Sequence, residues 1–345
     1  MPDKLPELNN ILYSGKLSYG YWGEEFEKAI SSYIGNEYFL SVNSFNSALL
    51  VAIAVLELKP GDEVIASPMS CLASNQPFAT QNLKVVWADI DPKTGTLDPS
   101  DVKRKITKQT KAIFHNHHCG YVGYVEEINQ IARQYGLYVV DDAIEAFGSE
   151  YSNKKMGNLG ADITAFSFQT VRLPNTIDGG GLSFCRKELY ERALLIRDLG
   201  VNRKKFRDEN GEISKKCDIA LPGFGATLNE TSAYIGLQQV HYIDSLLGKQ
   251  NENATVWNVK LKEIKNISLL NSINGSKPNY WVYGCFAENK LEAISFFRER
   301  NYYASGIHLP NNNYSIFNSK IELKGVNEFY TNFIALPSGW WVNSI

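Results

Sequence analysis

The chain has 345 residues, of which 44% are hydrophobic and 21% charged, and its formal net charge is −2. The near-neutral charge and the lack of a basic run exclude a broad nucleic-acid-binding surface, so we expect no nucleic-acid partner. No stretch approaches the roughly 20 apolar residues of a membrane span, so we expect no membrane partner either. A chain of this length favours one large and one smaller domain, since single cores usually stop growing at roughly 250–300 residues.

The cysteines and the N-terminal sequence indicate the compartment. The five cysteines are scattered and show no CxxC spacing, which is typical of free thiols in a reducing environment. The segment MPDKLPELNN lacks the charged-then-apolar pattern of a signal peptide. Both observations predict a cytoplasmic protein.

Short runs of β-branched and aromatic residues alternate with helical patterns as far as residue 185. The runs predict strands at residues 37–42, 63–67, 84–90, 111–116, 137–142, 163–168 and 181–185. Helices are predicted at Asn46–Leu58, Asp98–Ile106 and Glu126–Tyr135. The alternation is typical of an α/β fold with a mostly parallel, buried sheet flanked by helices.

The alternation becomes looser beyond about residue 235, where aromatic and asparagine residues are more frequent. We therefore predict a large α/β domain with an N-terminal arm at residues 1–235 and a small α+β domain at residues 236–345. The polar segment Asn202–Pro222 is predicted to run over the surface.

Polar residues just after the predicted strands are candidates for a site, because ligands of open α/β sheets bind beyond the carboxyl ends of the strands. Ser44-Phe45-Asn46-Ser47 follows the first strand and is able to hold a phosphate through backbone N–H groups and hydroxyls. The same residues are more commonly a simple helix N-cap. Asp142 closes the fifth strand, where a carboxylate either pairs with the protonated pyridine nitrogen of pyridoxal phosphate (PLP) or is a solvated acid.

Two further strand ends contain polar residues. AFSFQTVRLPNTIDGGG at residues 165–181 places Ser167, Gln169 and Arg172 before a glycine run that permits close backbone approach. His115-Asn116-His117-His118 contains three histidines, which are common metal ligands. Neighbouring residues of a strand point to opposite faces, and no carboxylate or cysteine pair is spaced to complete a site, so we predict no metal site.

These segments resemble, in order, the signatures of the DegT/DnrJ/StrS sugar aminotransferases, PLP enzymes of the type I, aspartate-aminotransferase fold. The resemblance covers nearly the whole chain and includes SGKLSYGYWGEEFEKAISSYIG, PGDEVIASPMSCLAS, VVWADIDPKTGTLDP, YVVDDAIEAFGS, AFSFQTVRLPNTIDGGG and IALPGFGATLNETSAYIGLQQV. It implies PLP or pyridoxamine phosphate (PMP) as cofactor and a homodimer with shared sites. It also implies transfer of an amino group, usually from glutamate, to a nucleotide-linked keto-sugar in surface-polysaccharide or specialised-sugar biosynthesis.

The resemblance assigns roles to individual residues. Asp142 falls on the acid that pairs with the pyridine nitrogen, and Ser167 on the serine that binds the cofactor phosphate. Arg172 stands where the family places the lysine that is linked covalently to the cofactor. A guanidinium, with a pKa above roughly 12, neither forms a useful reversible imine nor acts readily as a base near neutral pH. We therefore expect Arg172 to replace the lysine poorly in both cofactor exchange and proton transfer.

Other differences from the family fall in the same predicted pocket. Phe45-Asn46 replaces a Gly-Thr phosphate loop, and Cys71 replaces an aromatic ring that stacks on the pyridine. Glu145 replaces a common Gln or His, and Thr227 replaces an Asn that reaches the partner's cofactor phosphate. Because these changes cluster, they favour natural divergence over a single engineered Lys→Arg exchange.

Three functions are compatible with these residues. The first is a sugar aminotransferase that retains its reaction. The second is a lysine-less, PMP-dependent enzyme similar to the family's 3-dehydratase branch, in which a histidine replaces the lysine. The third is a non-catalytic partner that binds a nucleotide-sugar or pairs with an active relative.

Overall fold

The computed structural model describes residues 4–319, 321–343 and 345. The strands, in chain order, are β1 (Phe39–Val42), β2 (Glu63–Ala66), β3 (Lys84–Trp87), β4 (Thr110–Asn116), β5 (Tyr138–Ala143), β6 (Glu150–Tyr151), β7 (Lys154–Lys155), β8 (Ile163–Ser167), β9 (Gly180–Phe184), β10 (Ile267–Leu269), β11 (Ser276–Lys277), β12 (Val282–Ala287) and β13 (Phe333–Pro337). The helices are α1 (Leu8–Tyr13), α2 (Tyr21–Ile34), α3 (Phe45–Val55), α4 (Leu72–Thr80), α5 (Pro99–Lys105), α6 (Val125–Tyr135), α7 (Lys187–Arg197), α8 (Arg203–Phe206), α9 (Glu230–Val240), α10 (Ile243–Leu261), α11 (Lys290–Arg298) and α12 (Lys324–Asn332).

A seven-stranded sheet forms the centre of the molecule, with strand order β1-β9-β8-β5-β4-β2-β3. The pairs of β2, β3, β4, β5 and β8 are parallel, whereas β9 is antiparallel to both of its neighbours. Most residues of these strands are buried because helices cover both faces. The predicted α/β class and strands are confirmed, with ends within three residues of those observed.

The predicted helices are confirmed as α3, α5 and α6. Helix α3 is apolar apart from Asn46 and Ser47, and seven of its eleven residues are buried. Helix α6 is amphipathic, and it ends at Gly136, which adopts a left-handed conformation with φ of 65°.

The C-terminal part adds a three-stranded antiparallel sheet with order β10-β12-β13. Its core contains Trp257, Tyr283 and Phe297. Helix α9 spans the predicted division between residues 235 and 236, and β11 pairs with β6 of the N-terminal part. The two-domain division therefore stays a prediction.

The segment at residues 202–222 contains the short helix α8 and is largely exposed, as predicted. Ile213 and Ile219 of this segment are 62% and 46% exposed. Among the described helices, none combines the length and the apolar character needed to cross a membrane.

A buried ion pair connects helix α2, strand β1 at the edge of the central sheet and helix α7. Glu27 of α2 accepts hydrogen bonds from the N–H and Oγ of Ser41 on β1, both at 2.8 Å, and from Nη1 of Arg197 on α7. Tyr19 donates its hydroxyl to the other oxygen of Glu27 at 2.6 Å. Glu27 and Arg197 are 8% and 4% exposed, so each charge depends on the other.

We expect Glu27→Ala to lower the free energy of unfolding by about 3–5 kcal/mol, because Arg197 would keep an uncompensated buried charge. Urea unfolding followed by circular dichroism measures the change. The exposed Glu24→Ala on the same helix is the matched control and should stay within about 0.5 kcal/mol of the wild type. Equal stability of both variants would show that the pair contributes nothing.

Candidate functional site

The carboxyl ends of β1, β5 and β8 bring three predicted site segments to one edge of the central sheet. Asp142 lies on β5, the neighbour of β8. Ser167, at the end of β8, lies opposite Gly180 on β9. Gly180 in turn pairs with Val42, two residues before Ser44. The three segments therefore line one site.

Asp142 is a buried carboxylate, 3% exposed, at the end of β5. Its Oδ1 accepts a hydrogen bond from the backbone N–H of Ile144 at 3.1 Å. Burial disfavours the charged form and raises the pKa of Asp142 to about 6. A cation placed against this carboxylate would therefore be stabilised by it.

The N-terminus of α3 supplies the second part of the edge. Ser44 caps the helix, since its Oγ accepts the N–H of Ser47 at 3.0 Å. The side chain of Phe45 is fully buried in the core, so the predicted role of this residue in cofactor binding would rest on its backbone N–H. Asn46 is exposed. A Cβ on Gly180 would lie 2.8 Å from the carbonyl oxygen of Ser44, so glycine is required where β9 approaches the helix.

Gln169 begins the turn that follows β8. Its carbonyl oxygen accepts the N–H of Arg172 at 2.8 Å, and its own N–H lies 3.4 Å from Oγ of Ser167. Thr227 is half-buried. The carbonyl oxygen of the preceding residue, Ala226, accepts a hydrogen bond from the N–H of Asn43 at 2.9 Å. Both residues thus lie at the predicted edge, and their contacts with a cofactor stay predictions.

Arg172 is nearly buried, with its side chain 7% exposed. Its Nη2 is 3.6 Å from Oε1 of Glu145, and its guanidinium stacks on the ring of Trp281 at 4.1 Å. Nε and Nη1 have no hydrogen-bond partner among the described residues. The cavity beside the guanidinium, which Ser167 also lines, measures about 20 Å³. This is roughly the space for one water molecule.

Trp281 is itself fixed by hydrogen bonds. Its Nε1 donates to the carbonyl of Val171 at 3.1 Å, and its backbone N–H donates to Oδ1 of Asn279 at 2.8 Å. Asn279 donates from Nδ2 to the carbonyl of Glu145 at 2.8 Å. The C-terminal part therefore holds the turn that contains Arg172.

Glu145 is the carboxylate at the centre of these contacts, and it is 4% exposed. One oxygen accepts the backbone N–H of Cys119 at 2.7 Å, and the other is 3.0 Å from Nε2 of His308. Burial alone would raise the pKa of Glu145, but His308 and Arg172 outweigh it and the pKa falls to about 2. Glu145 is therefore ionised at neutral pH.

Other titratable groups near the site are held neutral by burial. Burial raises the pKa values of the Cys71 and Cys119 thiols. It also lowers the pKa of His118 to about 4. Two thiols and one imidazole near Glu145 are thus uncharged at pH 7, and Cys71 offers no ring for a stacked ligand.

His115 and His117 form a buried cluster with Asp141, contrary to the expectation that no carboxylate would approach them. The two histidines share a face because they are two residues apart, and Asp141 lies opposite His115 in the neighbouring strand. Oδ1 of Asp141 is 3.4 Å from Nδ1 of His115 and 3.3 Å from Nε2 of His117. Donor atoms around a tetrahedral zinc are separated by about the same distance.

Hydrogen bonding nevertheless argues against a metal at this cluster. Nδ1 of His117 accepts the backbone N–H of Gly123 at 3.0 Å, so the proton of the neutral ring is on Nε2. A metal ligand needs a lone pair at that atom. Burial alone would raise the pKa of Asp141, but the two histidines lower it to about 2. We interpret the cluster as two rings held by one carboxylate.

The contributions of His308, Trp281 and Asn279 are not apparent from the sequence. The frequent aromatic residues beyond residue 235 indicate only a small domain. No local pattern indicates which of these residues face the strand ends of the central sheet. Only the tertiary structure places them against Glu145 and Arg172.

Comparison with known proteins identifies the class to which this fold and site belong. A sequence model of the DegT/DnrJ/EryC1/StrS aminotransferase family matches residues 2–340. GDP-perosamine synthase of Caulobacter vibrioides is 31% identical over 72% of this chain and 64% of that enzyme. The dTDP-3-amino-3,6-dideoxy-alpha-D-galactopyranose transaminase of Aneurinibacillus thermoaerophilus is 29% identical over 88% of this chain and 80% of its own length.

Solved structures agree with the family match. The crystal structure of the sugar aminotransferase CalS13 from Micromonospora echinospora has a TM-score of 0.92 and 26% identity, and the match covers 100% of this chain and 94% of that one. The protein therefore belongs to the DegT/DnrJ/EryC1/StrS aminotransferase family and has the fold of the type I PLP-dependent transferases. Aminotransferases of this family use PLP or PMP.

We expect Zn²⁺ to leave the melting temperature unchanged, because the proton on Nε2 of His117 occupies the position that a metal would need. Scanning calorimetry with Zn²⁺ or EDTA measures the effect. Asp141→Asn is the control for zinc bound elsewhere. A zinc-dependent rise in melting temperature that disappears in Asp141→Asn would establish a metal site.

Proposed function

We propose that this chain carries out PLP- or PMP-dependent amino transfer to a nucleotide-linked keto-sugar, in the biosynthesis of a surface polysaccharide or a specialised sugar. The convergence of Asp142, Ser167 and the N-terminus of α3 at one sheet edge carries this proposal. The names of the two relatives, which refer to GDP- and dTDP-linked sugars, support the substrate class. Glutamate is the proposed amino donor.

The polar groups at this edge fit a cofactor that is held without a covalent link. Asp142 is a buried carboxylate that forms no ion pair with any described residue, and it would pair with a protonated pyridine nitrogen. Ser167 and the free N–H groups of the first turn of α3 would hold the phosphate. Cys71, Glu145, Gln169 and Thr227 are proposed to surround it. When bound, the cofactor supplies an electron sink.

The fit between the residues of this site and a PLP cofactor is incomplete at Arg172. We propose that it occupies the position of the family's lysine through natural divergence. Its guanidinium places a permanent positive charge beside Glu145. It cannot form the covalent link to the cofactor or readily exchange a proton. PMP, which carries its own amine, suits this residue better than PLP does.

A second candidate function is that of a non-catalytic partner that binds a nucleotide-sugar, and a third is a PMP-dependent dehydratase-like reaction. The tight packing around Arg172, with a cavity of about 20 Å³, favours the function of a non-catalytic partner. The retained Asp142 and Ser167 favour cofactor chemistry. A cofactor titration distinguishes the non-catalytic partner from the cofactor-dependent functions, because a protein that only binds nucleotide-sugars binds neither PLP nor PMP.

We further propose a cytoplasmic homodimer built from the predicted large and small domains. Residues 202–231 resemble the region through which the family's subunits reach across to each other, and Leu199, Ile213 and Ile219 expose apolar surface in or beside it. Cell fractionation tests the location, and limited proteolysis near residue 235 tests the domain division.

We expect PMP to bind with an affinity that falls as the pH drops below about 6. A bound pyridinium favours the ionised form of Asp142, so binding must release the proton that this group holds below its pKa of about 6. Asp142→Asn should weaken binding at pH 7 by about 1.5–3 kcal/mol, roughly 10- to 150-fold. Absorbance titration at pH 5–8 measures this. Asp142→Asn also serves as the control for titration of PMP itself, because it lacks the titrating carboxyl group. If Asp142→Asn binds PMP as tightly as the wild type does, the assignment of Asp142 to the pyridine nitrogen is wrong.

We expect Arg172→Lys to turn yellow with PLP, because its amine condenses with the aldehyde. Glutamate should then bleach the colour if amino transfer is restored. Arg172→Met is the matched control, since it removes the guanidinium without adding an amine, and it should stay colourless. An Arg172→Lys protein that stays colourless in excess PLP would favour the non-catalytic partner.

We expect sedimentation to give twice the mass of the 38.8 kDa chain at micromolar concentration. Ile213→Glu should shift the equilibrium towards monomers, since it places a charge in a buried apolar contact. Lys215→Glu, a charge change in the same exposed segment, is the control. A wild-type monomer would leave the shared-site proposal without support.

A further inference from the structure

His308 reaches the site from the C-terminal part of the chain through a strained turn. Its N–H donates to the carbonyl of Gly306 at 2.8 Å, which closes a three-residue turn around Ile307. Ile307 has a φ of +60°. This is the γ-turn with positive φ, which is rare and strained, and a β-branched residue is especially unfavourable there.

Hydrogen bonds to the neighbouring strand maintain this conformation. Ser305 and Ala335 exchange two backbone hydrogen bonds, at 3.1 and 2.8 Å, and Oγ of Ser305 accepts the N–H of Ile307 at 3.0 Å. Strained backbone of this kind is unfavourable and persists only where the surrounding structure holds it. The turn therefore fixes the position of the His308 ring at the site.

Glu145 fixes the protonation of the His308 ring. Nε2 of His308 is 3.0 Å from the ionised Oε1 of Glu145, which requires the proton to be on Nε2. In the neutral form of the ring the lone pair is then on Nδ1, which forms no hydrogen bond with any described residue. The ring is 14% exposed, so Nδ1 is available to a ligand. A carboxylate that orients a histidine in this way is a common arrangement for a general base.

The same oxygen of Glu145 contacts both His308 and Arg172. His308 therefore lies beside Arg172, whose guanidinium does not readily transfer a proton. The other groups that face it are unsuited to this role. Burial holds the pKa of His118, whose ring centroid is 5.8 Å away, near 4, and it raises the pKa of the Cys119 thiol.

We propose that His308 transfers protons in this pocket through Nδ1, with Glu145 as its positioning residue. The proposal rests on the proposed function. Nδ1 would accept a proton from one carbon, whose electron pair would stay in the bound conjugated system, and would return a proton to the second carbon, on the other side of the transferred nitrogen. The ring ends in its starting state, so the transfer needs no co-reactant.

The tautomer of His308 is testable in the cofactor-free protein. In ¹⁵N spectra of histidine-labelled protein, assigned with His308→Gln, we expect the tautomer with the proton on Nε2. Glu145→Ala removes the acceptor for this proton and should produce a mixture of the two tautomers. A proton on Nδ1 in the wild type would overturn the proposal, because that atom could then accept no proton.

Hydrogen exchange tests the transfer itself. With PMP and 2-oxoglutarate in D₂O, we expect deuterium at the α-carbon of the glutamate formed, and His308→Gln should slow its appearance by about 100-fold. The exposed His241→Gln is the matched control. Equal rates in the wild type and His308→Gln would overturn the proposal. Absence of PMP binding by the wild type would instead overturn the proposed function, and with it the role of His308.

Discussion

The carboxylate of Glu145 is the interaction on which the arrangement of the site depends. A buried charge is tolerated only when other groups compensate it, and Glu145 receives compensation from three directions. Cys119 provides a backbone N–H, Arg172 a guanidinium and His308 a ring nitrogen. These groups come from the segments after β4 and β8 and from the C-terminal part. The same carboxylate thus fixes the relative position of segments that are distant in the chain.

Glu145 and Arg172 compensate each other's charge inside the protein. A guanidinium remains charged at any physiological pH, so its burial requires a negative partner. An acid at position 145 meets this requirement, and Trp281 covers the face of the guanidinium. The two residues therefore form one electrostatic unit.

The strand ends were predictable because a parallel sheet needs only a local signal, an apolar run closed by a polar residue. That signal located Asp142 and Ser167 correctly on β5 and β8. It did not indicate that Asp141 lies against His115, because strand neighbours are determined by register. It also did not place His308 or Trp281 at the site, since their contacts depend on how the C-terminal part packs on the central sheet. Phe45 was assigned to the site although helix packing directs its side chain into the core.

The strained turn at Ile307 is a compromise between backbone conformation and packing. A glycine at this position would relieve the left-handed strain, but it would remove a side chain that packs against the main core. The contact of Ile307 with the core therefore offsets part of the strain, and it couples the position of the neighbouring imidazole to the interior of the molecule.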